Sequence, residues 1–167
     1  FSIASDDGRY VCDSLLLTAR KHIGGRREIC LRSDFASVDA TGRFDVKTLP
    51  QSLTNLVASQ LPTLPGLPQY IQQNNDILLT ASIRDMEVLR RLAGIDVLAS
   101  KPIDVKAYVN DNTRQSNITI DAQQISVKGN KLENMLVNIF SPGDTLRYSA
   151  KTQKRSKDGE VMAFGIS

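Results

Sequence analysis

The residues able to do chemistry are few and scattered. His22 is the only histidine, and it stands between Lys21 and Ile23-Gly24-Gly25, a hairpin-tip composition in which a solvated imidazole serves a turn better than a general base. A metal centre built on it needs further ligands at short spacing, and none are near. Cys12 and Cys30 have neither a histidine beside them nor a C-x-x-C partner, so nucleophilic and dithiol chemistry lack their usual parts. Asp6-Asp7 and Asp111 are carboxylates that could pair with acids elsewhere, yet Asp-rich turns account for them as simply. No glycine-rich phosphate loop and no nucleophile elbow occurs. The run Lys151-Thr152-Gln153-Lys154-Arg155-Ser156-Lys157 could touch phosphate headgroups, but a solvated hairpin tip is the plainer reading. Asn117-Ile118-Thr119 fits a glycosylation sequon that matters only in a eukaryotic secretory setting. These residues predict a chain with no catalytic site, no metal and no cofactor; function has to come from shape.

The elements that would give that shape follow from periodicity. Alternation at Val38, Ala40, Gly42, Phe44 and Val46 switches to helical spacing at Leu49, Leu53, Leu56, Val57 and Leu61; Ile77, Leu79, Ala81 and Ile83 do the same into Met86, Val88, Leu89 and Leu92. A period of two gives way to one near 3.6 within a few residues, both times. One strand and one helix cannot bury their own apolar face, so the recurring unit reads as part of a stacked or elongated β array. Thr48 is the candidate N-cap of the first helix, with Pro50 in its first turn; the second helix starts after Asp85 and stops at Gly94. Pro62-Thr63-Leu64-Pro65-Gly66-Leu67-Pro68 is the one clear linker. It divides the chain into residues 1–68, a first repeat, and 69–167, a second repeat with a β meander.

The cysteines can be placed by register. If Lys21 faces Arg27 across the Ile23-Gly24-Gly25 hairpin, Leu17 pairs with Leu31, Leu15 with Ser33, and Cys30 faces Thr18. Cys12 then lies six positions further along, about 20 Å away, beyond the roughly 7 Å limit for a bridge. Two free thiols are expected, which leaves the compartment open.

With 167 residues, 41% hydrophobic and 23% charged, the composition is that of an ordinary soluble domain. A net charge of +3 and a pI near 9.0 are too mild, and the basic residues too interleaved with 18 acids, to argue for nucleic acid. Aromatic residues make up only 5%, without tryptophan, which also weakens a carbohydrate-binding surface. No stretch approaches the roughly 18 apolar residues of a membrane span. The start at Phe1, without methionine or a signal-like segment, reads as a fragment whose terminal strands, Ser2 to Ser5 and Glu160 to Ile166, are cut from a longer sheet.

Beyond the second helix come only strands: 96–100, 103–109, 117–123, 124–128, 132–140, 144–152 and 160–166. Strand would occupy more than half the chain, against about 20–25% in ordinary globular proteins. The fold class expected is therefore mainly β, a curled, elongated, antiparallel-rich sheet with two short amphipathic helices. One face is apolar and the other wet, and the phase slips between Ala122 and Ile125, so Gln123-Gln124 is a candidate bulge or corner. The apolar side would be lined by Val105, Ala107, Val109, Ile118, Ile120, Ala122, Val127, Met135, Val137, Ile139, Leu146 and Tyr148. A sheet that curls without filling leaves a trough for acyl chains, each methylene transferred being worth about 0.8 kcal/mol; the alternative is that these residues are the core of a closed β sandwich.

The passage Leu31-Arg32-Ser33-Asp34-Phe35-Ala36-Ser37-Val38-Asp39-Ala40-Thr41-Gly42-Arg43-Phe44-Asp45-Val46, with a helix ending at Leu61-Pro62, resembles the phrasing of TamB-like proteins: strand, S-D, a polar step, G-x-F, then a helix ending in L-P. So does Ile118-Thr119-Ile120-Asp121-Ala122 before Ile125, Gly129, Leu132 and Asn134, then Asp144-Thr145-Leu146. The similarity covers nearly the whole chain. What it implies is a segment of a TamB- or AsmA-like envelope protein, anchored in the inner membrane and crossing the periplasm of a Gram-negative bacterium. Its apolar groove would carry phospholipids between membranes or assist outer-membrane protein assembly. The implied partners are phospholipid acyl chains and the outer-membrane assembly machinery; no active site comes with the family. A β-sandwich adhesion or ligand-binding module is the second expectation. Unpaired terminal strands would favour edge-to-edge self-association in either case.

Overall fold

The computed structural model describes residues 2–5, 8–11, 13–49, 51–52, 55, 73–86, 97–127, 130–143, 145–155 and 161–166. Twelve strands are present among them: β1 (Ser2–Ser5), β2 (Gly8–Val11), β3 (Leu15–Lys21), β4 (Arg27–Ser33), β5 (Ala36–Arg43), β6 (Asp76–Ile83), β7 (Val97–Ala99), β8 (Ile103–Asn110), β9 (Gln115–Val127), β10 (Asn130–Pro142), β11 (Arg147–Arg155) and β12 (Val161–Ile166). β1 and β2 form a hairpin of their own. The other ten make one open antiparallel sheet in the order β12-β11-β10-β9-β8-β6-β5-β4-β3, with β7 beside β9. The expected curled antiparallel sheet is therefore the fold, one sheet rather than two packed face to face, and β5 pairs along its length with β6 across the Pro-rich segment.

Local chemistry explains the turns. Gly24 and Gly25 hold φ of 78° and 80° in the 3-10 turn Ile23–Gly25, a region open to glycine, and the β3–β4 register is the expected one, from Lys21 opposite Arg27 to Leu15 opposite Ser33. Cys30 accordingly faces Thr18 and carries a free thiol; Cys12 lies outside the described residues. The Ser33-Asp34 step forms the β4–β5 turn. Ser33 Oγ accepts from the Ala36 N–H and donates to its carbonyl, both at 3.0 Å, while Asp34 accepts from the backbone N–H groups of Phe35 and Asp13. Arg84, just past β6, binds the carbonyls of Ser33 and Asp34 and clamps that turn.

The first helix starts at Leu49, directly after Thr48, whose carbonyl accepts the Ser52 N–H at 3.1 Å, so the expected start holds. Asp45 holds the turn that leads into it: its carboxylate accepts the Lys47 N–H at 3.0 Å and its carbonyl the Thr48 N–H at 3.0 Å. Leu49, Gln51, Ser52 and Asn55 are helical, as is Met86. The remainder of both expected helices, the 62–68 linker, Asp6-Asp7 and the 156–159 turn lie outside the described residues.

Cross-strand pairing sorts the side chains into rows. Ala19, Ile29, Ala40, Leu79, Ala107, Ile118, Ile139 and Tyr148 stand opposite one another from β3 to β11 on the apolar face. One residue along, Thr18, Cys30, Asp39, Thr80, Lys106, Thr119, Asn138 and Ser149 form a row on the polar face. The apolar face is covered in two places. Phe44 and Leu49 pack with Ala40, Ile77, Val109 and Ile118, and Met86 packs with Ile103, Ala122 and Ile125.

A crease runs through the second cluster. Ala99 pairs with Ile125 and Ile103 with Ala122, so Ser100, Lys101 and Pro102 oppose only Gln123 and Gln124; Pro102, lacking an N–H, sits in the extra residue's stretch. β9 itself runs through unbroken. Gln123 and Asn134 would face each other but form no ladder pair, Asn134 has φ 50°, and the β10–β11 register shifts beside it. Both strands turn over together there, which brings Ile125 and Leu132 back to pack with Ala122 and Met135.

Candidate functional site

Between the sheet and the Leu49 helix lies a cavity of about 330 Å³, lined by Leu49, Ser52, Ile77, Leu79, Val105, Ala107, Val109, Ile118, Ile120 and Ile139. Four neighbouring strands, β6, β8, β9 and β10, supply all of it but two residues. Alternation explains the lining, since every second residue of each strand meets the same face. Small Ala107, in the middle of its row, leaves room that a larger side chain would fill. The volume falls within the roughly 300–1,000 Å³ typical of ligand sites.

Six of the expected lining residues meet at this cavity: Val105, Ala107, Val109, Ile118, Ile120 and Ile139. Ala122 and Met135 belong to the second packed cluster, beyond Ile120. Val137 is half-buried in the row of Val105 and Ile120. Leu146 precedes β11, and Tyr148, at the far end of the central row, is 57% exposed. Val127 is placed by its backbone pairing with Val97 and Asn130. Ile77, Leu79 and Leu49 were visible as strand and helix positions, but only the β6–β8 pairing puts them beside the rest.

The end of the cavity is closed by a polar knot that local pattern does not reveal. Asn75, 3% exposed, donates to Ser52 Oγ at 2.7 Å and Thr48 Oγ1 at 3.0 Å, and accepts from the Asp45 N–H at 2.8 Å. Ser52 donates to Asp111 Oδ2 at 2.7 Å, which also receives the Asn75 N–H at 3.0 Å. Asp111 is thus a structural acceptor, not half of an acid pair. The hydroxyl of Ser52, among the described residues the one polar side chain in the cavity wall, is already engaged in both directions, so the described lining offers a ligand aliphatic surface.

The opposite face has a shallow hollow of about 340 Å³ lined by Ser37, Asp39, Thr80, Ser82, Asp104, Lys106, Thr119 and Asp121 with backbone neighbours. Most of its side chains are solvated. Asp39 accepts from Arg32 Nη2 on both carboxylate oxygens at 2.8 Å, which holds its carboxyl below the usual carboxylate range and raises the Arg32 guanidinium. Among the described residues no group of three His, Cys, Asp or Glu side chains could hold a metal. His22 is exposed at the β3–β4 tip, 3.3 Å from Glu28. No described helix is long and apolar enough to cross a membrane.

The fold and site define an open antiparallel sheet with an apolar cavity on one face. Comparison with family models, curated proteins and solved structures finds no match to this chain.

Proposed function

We propose that this chain is a segment of a TamB- or AsmA-like envelope protein of the Gram-negative periplasm, whose apolar sheet face holds acyl chains as phospholipids pass between membranes or as outer-membrane proteins assemble. The role is non-enzymatic. The single observation that supports the reading is the aliphatic cavity, whose one polar side chain among the described residues is saturated: such a site suits a hydrocarbon chain and discriminates against a polar headgroup. Each methylene taken from water contributes about 0.8 kcal/mol, so a chain is held by length and can slide without breaking any directed bond. The adhesion-module reading rested on a closed sandwich, and the observed sheet is single and open.

The test is displacement of a fluorescent fatty acid from the purified chain. Ala107→Arg places a guanidinium among aliphatic side chains at a cost of several kcal/mol and should abolish binding. Ala107→Leu fills the space instead and should weaken binding while raising the melting temperature. Lys106→Gln, on the other face, should change neither. A wild-type chain that never takes up the probe, or an Ala107→Leu variant that binds it fully, would count against the proposal.

A further inference from the structure

From Arg20 to Arg27 the sequence carries four permanent cations and no acid. The β3–β4 pairing sets Lys21 directly opposite Arg27, and like charges facing across an antiparallel pair destabilise it. Arg26 is exposed beside them, and a Cβ added at Gly24 would lie 3.9 Å from an Arg43 guanidinium nitrogen, so Arg43 reaches the same tip. None of these side chains forms an ion pair among the described residues; Glu28, which stands opposite Arg20, is engaged by His22, and Asp76 stands opposite Arg43. At the apex Ile23 is 101% exposed, held outward by two glycines in left-handed conformations. An apolar side chain projecting from a collar of cations matches an anionic bilayer: the cations meet lipid headgroups and the side chain passes between them. Nucleic acid fits less well, because residues 20–27 contain no aromatic side chain on which a base could stack.

We infer that the β3–β4 tip docks the sheet onto an anionic membrane surface, with Ile23 entering the interface and Lys21, Arg26, Arg27 and Arg43 binding lipid headgroups. This goes beyond the acyl-chain reading and stands without it. The chain has no tryptophan, so Ile23→Trp places a single reporter at the apex, where full exposure leaves the fold undisturbed. Its emission should shift to shorter wavelength with vesicles of phosphatidylcholine and phosphatidylserine in equal parts. It should not shift with phosphatidylcholine alone, and salt of about 0.5 M should reverse the effect. Adding Lys21→Gln and Arg26→Gln should weaken partitioning about five-fold for each charge removed. Ala107→Arg in the same background should keep the shift, separating this surface from the cavity. Unchanged emission with the anionic vesicles, equal response to neutral ones, full binding by the charge-depleted variant, or preferential binding of single-stranded DNA would overturn the inference.

Discussion

Ser116 is, among the described residues, the buried side chain whose oxygen has no hydrogen-bond partner. It pairs with Ser141, which has carbonyl oxygens of Arg114 and Gly143 within 3.2 Å. Ser116→Ala removes a desolvated hydroxyl and should be neutral or stabilising by up to about 1 kcal/mol in urea unfolding. Asn75→Ala should behave in the opposite way, costing about 2–3 kcal/mol, because it strands the Asp45 N–H and Ser52 together. The pH response belongs to Asp39. A carboxyl lowered by Arg32 adds stability above its ordinary value and loses it as the pH falls through the lowered one, so Asp39→Asn should lower the melting temperature from about pH 5 upward, and the difference from the wild type should shrink as the pH falls below about 4. Chemistry of this kind was only partly legible in the sequence. His22 at a turn and the unpaired thiol of Cys30 could be read from their neighbours. The Asn75–Ser52–Asp111 knot could not: its members lie 23 and 36 residues from Asn75, and polar residues at strand ends look alike whether solvated or buried.

Gly42 shows how an element is held by one residue. Its φ is 143°, and a Cβ there would meet the Asp76 carbonyl oxygen and come within 3.0 Å of the Ile77 Cα. Gly42→Ala should therefore push β5 from β6 at the cavity's closed end, destabilise the chain by about 2–3 kcal/mol and weaken fatty-acid binding, both visible in one thermal-shift titration. The G-x-F phrase has a physical meaning here: glycine lets the strands approach, and Phe44, 6% exposed, plugs the space beyond. The strands themselves were legible, because alternation fixes which side chains share a face once one face is buried. The β3–β4 register followed from the turn alone. The first helix's start after Thr48 was legible too, while the turn that Asp45 holds just ahead of it was not. The crease was visible as a slip of phase at Gln123-Gln124. Its cause was not, since the extra residue belongs to the neighbouring strand and the positive φ to Asn134 in the next.

At the scale of the molecule, β3 and β12 are the two edges of the sheet among the described residues. β12 carries no charge, and Met162, Phe164 and Ile166 are 46%, 52% and 64% exposed, which makes it a template for another strand. Concentration-dependent association is expected in sedimentation velocity, and Phe164→Lys, a charge on an edge, should suppress it while leaving the melting temperature within about 0.5 kcal/mol of stability. The form of that association follows from parity. Nine strands lie on the path from β3 to β12, each antiparallel to the next, so the two edges run in the same direction. A second copy translated alongside could join only in parallel. One rotated by half a turn about the sheet normal joins antiparallel and keeps its apolar face on the same side, so β12 must meet β12, Met162 opposite Ile166 and Phe164 opposite itself. Such a junction is two-fold and self-limiting at that edge. It would send the β3–β4 tips of the two copies toward opposite ends of the joined sheet, turning a one-sided tip into a double-ended body.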